Sequence, residues 1–215
     1  QETIVILFLL LCFTFFVQWS GAEQRSFFSL ILAMHNERSL SIDAYADSTP
    51  DKAFYDGHYY SDKAPGLALL GLPVYTAINA MQNLGRPGLL LPYSIYMVSA
   101  FVVALPSALL ALLVLRFLRR LGFGELEATA VTLAVALGTL AMPFATLFFS
   151  HQTAAFFAFA SFYSLYRARS AQRPARLLFV AGALAGCAVV VEYPLAVLAA
   201  LLLGYALATQ SNRRL

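Results

Sequence analysis

Charge is what this chain has least of. Only 12% of its 215 residues are Asp, Glu, Lys or Arg, against 60% that are hydrophobic, whereas soluble domains run near roughly 25% charged. Cysteine is scarce too. Cys12 and Cys187 lie in separate apolar runs without metal-like spacing, and read as thiols facing lipid or a neighbouring helix. The patterns G-x-x-x-x-G-K-[ST], H-E-x-x-H, C-x-x-C and G-x-S-x-G are all missing. Nucleotide binding, zinc peptidase and serine hydrolase chemistry therefore lack their minimum parts. There is no internal repeat and no low-complexity tract beyond richness in Ala and Leu.

What is present is apolar sequence, with a mean hydropathy of +0.74. Long apolar runs occupy residues 3–19, 89–115, 128–149, 153–166 and 177–208. A crossing helix needs about 20 such residues to traverse roughly 30 Å of hydrocarbon. The first run has neither a basic leader nor a small-residue cleavage site, so it reads as a retained helix and not a signal peptide. The chain opens on Gln1 and ends just after an apolar run, which suggests a piece of a longer protein.

The basic residues then orient the runs. Of 14 Lys and Arg, nine fall in three short stretches: Arg116, Arg119 and Arg120; Arg167, Arg169, Arg173 and Arg176; and Arg213 and Arg214. The positive-inside rule assigns these stretches to the cytoplasm. The same bias accounts for the pI near 9.0 without nucleic acid. Seven of the 11 acidic residues lie between residues 20 and 65, which places that region outside. The expected fold is an all-α integral membrane protein, a polytopic helix bundle with a long external loop carrying interfacial helices. Its parts are a first span at 3–19, an external segment at 20–91 and further spans near 92–115, 128–149, 153–166, 177–191 and 194–208. Within the external segment a helix is expected over 26–34 and a second, lying in the interface, over 66–81. The tract between them, "SIDAYADSTPDKAFYDGHYYSDKAPG", reads as irregular.

This topology gathers the polar residues on one face. Lys63 precedes Pro65 at a helix start, where unpaired amides suit an anion such as phosphate. His58, Tyr59, Tyr60 and Asp62 flank it, with the tyrosines placed to stack on a sugar or to anchor at the lipid interface. His151, in "FFSHQ", sits where a phosphate contact or proton transfer is wanted. Glu192, in "VEYP", lies near hydrocarbon, where an unpaired carboxylate is costly and a cationic partner is expected. Glu23, where the first helix emerges, and Asp43, in "SIDAY", are alternative catalytic bases.

The order of these features resembles the GT-C class of polyprenyl-phosphate-sugar glycosyltransferases, especially the lipid A aminoarabinose transferases and protein O-mannosyltransferases. The stretches that carry the resemblance are "GAEQRSFFSLILA", "YDGHYYSDKAPGLALL" and "LPSALLALLVLRFLRRLGF". It covers the chain throughout, as the N-terminal half of such an enzyme. The class uses an Asp–Glu pair at the start of the external segment; this chain has Ala22–Glu23–Gln24 there, which leaves Glu23 or Asp43 as the base. The Lys-Pro-Pro of the class becomes Lys63–Ala64–Pro65, so the lysine that contacts lipid phosphate carries over. The resemblance implies inverting transfer of a sugar from a polyprenyl-phosphate donor to a lipid or glycan acceptor on the extracytoplasmic side of a bacterial-type plasma membrane. It names no certain cofactor and leaves a divalent metal open. The alternative is a transporter or a non-catalytic lipid- or glycan-binding membrane protein.

Overall fold

The structure is a computed structural model that describes residues 1–15, 21–83 and 91–211. Expectations for residues 16–20, 84–90 and 212–215, including the end of the first run and Arg213 and Arg214, lie outside the described residues. Ten α-helices are present among them: α1 (Glu2–Thr14), α2 (Ala22–Leu32), α3 (Gly66–Asn83), α4 (Leu91–Ser99), α5 (Leu105–Arg120), α6 (Glu125–Gly138), α7 (Ala141–Thr146), α8 (Ser150–Ala168), α9 (Ala175–Val191) and α10 (Ala196–Ser211). Helix α2 continues into a π-turn, Ala33–Glu37, and a second π-turn, Ala100–Ala104, joins α4 to α5.

The expected polytopic bundle is corrected here. Among the described residues one helix, Tyr93–Arg120, is long and apolar enough to cross a membrane, with 28 residues and an 18-residue stretch of mean hydropathy 2.6. The run at 128–149 is broken in two, 177–208 folds as two helices, and 153–166 lies within the 19-residue α8, which is too polar to qualify; prolines explain both breaks. Pro143 has no amide for a helical turn and would clash with the carbonyl of Thr139. The backbone is extended at Thr139, so the run at 128–149 becomes α6 and α7. Likewise Pro194 follows Glu192, whose extended backbone ends α9, and a 3-10 turn at Tyr193–Leu195 leads into α10. In contrast, α3 carries Pro73 inside an unbroken 18-residue helix.

The irregular external tract is corrected as well. It contains a 3-10 turn, Asp43–Ser48, and an antiparallel hairpin of β1 (Lys52–Tyr55) and β2 (His58–Ser61) in the register Lys52↔Ser61 to Tyr55↔His58. Asp56 and Gly57 form the two-residue turn, with φ of 51° and 84°. A type I′ turn needs positive φ at both central positions, which Asp-Gly tolerates. The outer edge of β2 is not left open. Ile42 N donates to Tyr59 O at 2.7 Å and Tyr59 N donates to Asp43 Oδ1 at 2.6 Å.

Packing fixes which ends of the helices lie together. Phe117 on α5 packs edge-on against Phe159, Phe162 and Tyr166 of α8, while Val102 meets Thr153 at the other end. Helices α5 and α8 therefore run parallel. Helix α9 returns antiparallel, with Ser161 Oγ donating to Ala181 O at 2.8 Å. Arg116, Arg119, Arg120, Arg167 and Arg169 thus share one end with the start of α9. The N-terminus of α1 is clasped there, where Glu2 takes Arg116 at 2.6 Å and Arg119 at 3.1 Å. Arg119 also bonds Glu125, which ties α5 to α6. The opposite end holds the start of α8, the α9–α10 turn and the layer built from α2, the hairpin and α3. A buried aromatic core joins that layer to the helices, with Phe148 edge-on to Phe27 at 6.0 Å and to Phe28 at 6.3 Å.

Pro106 stands in α5 just after the π-turn and has no amide for the carbonyls behind it. The carbonyl four residues back, that of Val102, is met by a hydroxyl. Thr153 Oγ1, fully buried, donates to Val102 O at 2.5 Å, and Ser107 Oγ donates to Val103 O at 2.7 Å. A buried carbonyl stripped of its donor costs about 1–3 kcal/mol. Thr153→Val is therefore expected to lower unfolding stability by about that amount, measured by denaturant titration. Combined with Pro106→Ala, which returns an amide to the same turn, the loss is expected to shrink; an undiminished loss refutes this account of the α5–α8 contact.

Candidate functional site

The site lies at the end opposite the arginines, where three pieces of chain meet. The first is the hairpin with the turn that follows it. Its anchor is α2, whose buried Ser26 Oγ donates to Asp51 O at 2.5 Å and contacts Ser61 Oγ at 2.9 Å. Thr49 Oγ1 adds a bond to Ala22 O at 2.7 Å. These bonds hold both roots of the hairpin against the start of α2, so Glu23 in that first turn faces the Lys63 turn.

Lys63 is enclosed by acid. Its Nζ lies 3.4 Å from Asp62 Oδ1 and 3.5 Å from Asp51 Oδ2, with the side chain 24% exposed. Desolvation pulls the ammonium's pKa down, but the charges of Asp62, Glu23 and Asp51 outweigh it and the pKa ends raised. Lys63 is thus a permanent cation held by two ion pairs at the long end of their range. Asp51 is a partner that the expected site did not include.

Asp43 is fully occupied. Its carboxylate takes Ser41 Oγ at 2.6 Å, Tyr59 N at 2.6 Å and His58 Nδ1 at 2.6 Å. The Ser41 hydroxyl, the Tyr59 amide and His58, in that order, hold its pKa down to about 2. A carboxylate so stabilised is a weak base. It serves instead to pin the loop to β2. Tyr59 lies under Lys52 Nζ, 4.8 Å from the ring centre, and beside Phe54 at 5.0 Å. Tyr60 is half-buried on the opposite face of the strand.

The second and third pieces are the start of α8 and the α9–α10 turn. His151 Nδ1 lies 3.0 and 3.1 Å from the two Glu192 carboxylate oxygens, and Ser150 Oγ donates to Glu192 Oε2 at 3.2 Å. In place of the expected cation, Glu192 is met by a histidine and a serine hydroxyl. Phe144 meets the His151 ring edge-on at 4.8 Å and Phe149 stacks on it at 6.0 Å.

Gly66 brings the first piece to the third. A Cβ at this position would lie 2.6 Å from the backbone of Val190 and Val191, the two residues before Glu192. Only a residue without a side chain lets the start of α3 touch α9 there, three residues after Lys63. Beneath this contact runs a groove of about 420 Å³, lined by Gly66, Leu69, Leu70, Phe157, Ala183, Gly186, Cys187, Val190 and Val191. Every lining residue is apolar or a thiol. Among the described residues, no group of three or more His, Cys, Asp or Glu side chains is placed to hold a metal ion. The structure thus gathers Glu23, Asp62 and Lys63 in one cluster and His151 with Glu192 in a second beside it. Asp43 and His58 form a separate pair on the hairpin.

No family model, curated protein or solved structure matches the chain. The site therefore rests on its own geometry, and the GT-C resemblance stands as an expectation.

Two outcomes check this geometry. Gly66→Ala forces backbone apart and is expected to cost about 1–3 kcal/mol. At Gly71 the added Cβ meets the tip of Ile31 at 2.6 Å, a side chain that can turn aside, so Gly71→Ala is expected to cost less in the same unfolding assay. Asp43 has a depressed pKa, so its hold on the hairpin persists above the usual carboxylate range and is lost as pH falls through about 2. Carboxylate NMR shifts are expected to show it titrating below the other aspartates, and a midpoint near 3.8, its unperturbed value, contradicts the three bonds.

Proposed function

We propose that this chain is the donor-binding part of a glycosyltransferase that moves a sugar from a polyprenyl-phosphate carrier to a lipid or glycan acceptor at the extracytoplasmic face of a bacterial-type plasma membrane. The single observation that carries the reading is the apolar groove that starts at Gly66, next to the cationic Lys63 turn and the His151–Glu192 pair. An apolar trough ending beside a lysine and polar side chains suits an amphiphile with a prenyl tail and an anionic, sugar-bearing head. Lys63 meets the phosphate by loosening from Asp51 and Asp62. Large apolar side chains exposed on α1, α9 and α10, among them Ile4 at 71%, Phe179 at 78% and Val197 at 69%, support contact with lipid.

One observation favours the non-catalytic lipid- or glycan-binding alternative. Asp43 is saturated with hydrogen bonds, so of the two expected bases it is not at liberty. Turnover separates the two readings.

Cys187 is a native reporter of the groove, since it is exposed and lines it, while half-buried Cys12 lies on α1. Polyprenyl phosphate in detergent micelles is expected to slow maleimide labelling of Cys187 and leave Cys12 unaffected. Lys63→Ala is expected to raise the concentration for half-protection by about tenfold or more, as for loss of a hydrogen bond to a charged group. Equal labelling of Cys187 with and without the lipid refutes the groove as the carrier site.

A further inference from the structure

We propose that His151 is the proton acceptor in the transfer, with Glu192 as its positioning residue; the proposal deepens the glycosyltransferase reading and rests on it. Nδ1 of His151 is directed at both oxygens of Glu192, at 3.0 and 3.1 Å. A neutral imidazole that donates from Nδ1 carries its lone pair on Nε2. No hydrogen bond among the described residues engages Nε2, and the side chain is 42% exposed. Ser150 Oγ on Glu192 and the rings of Phe144 and Phe149 on the imidazole hold both partners in place.

Position separates this pair from its rivals. Glu192 directly follows Val190 and Val191, which wall the groove and touch Gly66. The other carboxylate–histidine pair, Asp43 with His58, sits on the hairpin, which contributes no residue to the groove. Glu23 acts on Lys63. Among the described residues beside the groove, His151 is therefore the one that presents an unengaged ring nitrogen. In the step, the acceptor O–H proton passes to Nε2 as the acceptor oxygen bonds the anomeric carbon. The bond from that carbon to the phosphate oxygen breaks, and its electron pair leaves on the polyprenyl phosphate. Glu192 stabilises the imidazolium that results.

The full chain labelled with ¹⁵N-histidine tests the arrangement at alkaline pH, where the neutral ring is observed. His151 is expected as the Nδ1–H tautomer. Glu192→Gln, whose amide oxygen still accepts from Nδ1, is expected to keep that form, and Glu192→Ala to lose it. With a polyprenyl-phosphate hexose as donor, His151→Gln is expected to lower sugar release or transfer by about 10²–10⁴-fold, with protection of Cys187 unchanged. An Nε2–H tautomer in the native chain overturns the proposal, as does undiminished turnover in His151→Gln. Failure of the lipid to protect Cys187 in the native chain removes the carrier reading instead, and the tautomer result still decides how His151 is held.

Discussion

The arrangement of the polar end depends on one close contact, the backbone of Gly66 lying against the backbone of Val190 and Val191. Lys63 is three residues before that contact on one chain segment, and Glu192 is the next residue on the other. Without it the hairpin layer and the α8–α9 pair would each keep their own internal bonds. They would share no site, and the groove between α3 and α9 would lose one wall. Backbone-on-backbone packing of this kind demands a glycine, so a single missing side chain joins two chain segments more than 120 residues apart in sequence, Gly66 and Val190.

Around that contact, polar groups divide into those that build and those that remain at liberty. Ser26, Ser29, Ser48 and Thr49 bond the hairpin roots and the 3-10 turn to α2. Asp43 pins the outer edge of β2, which caps a strand edge otherwise open to pairing. Lys63 is balanced by three carboxylates and His151 by one. What separates the last two from the rest is their place, next to apolar surface on one side and open space on the other.

Some of this was legible from residue order. The arginine clusters stand apart from the acidic tract in residue order, and the structure carries Arg116–Arg120 and Arg167–Arg169 to the end away from His151 and Glu192. A turn at "VEYP" was readable from Pro194. The hairpin was not recognised, although "YDGH" at Tyr55–His58 holds a strong two-residue turn signal; the abundance of polar residues around it suggested irregular chain. Hydropathy also overcounted crossings. It sums side chains and does not register that Pro143 interrupts the backbone, so the run at 128–149 folds as two helices, neither long enough to span. The acidic enclosure of Lys63 was hidden for a different reason. Glu23 and Asp51 reach it only through the tertiary bonds of Ser26, which no local pattern encodes.

The central claim is that an amphiphilic carrier binds with its tail between α3 and α9 and its phosphate at the Lys63 turn. An experimental structure of the full chain with polyprenyl phosphate tests it most directly. The account predicts tail density along Leu69, Leu70, Phe157 and Val190, with the phosphate beside Lys63 and facing His151. Lipid lodged instead in the larger apolar hollow between α8, α9 and α10, about 500 Å³ and lined by Leu165, Leu178 and Leu202, would contradict it.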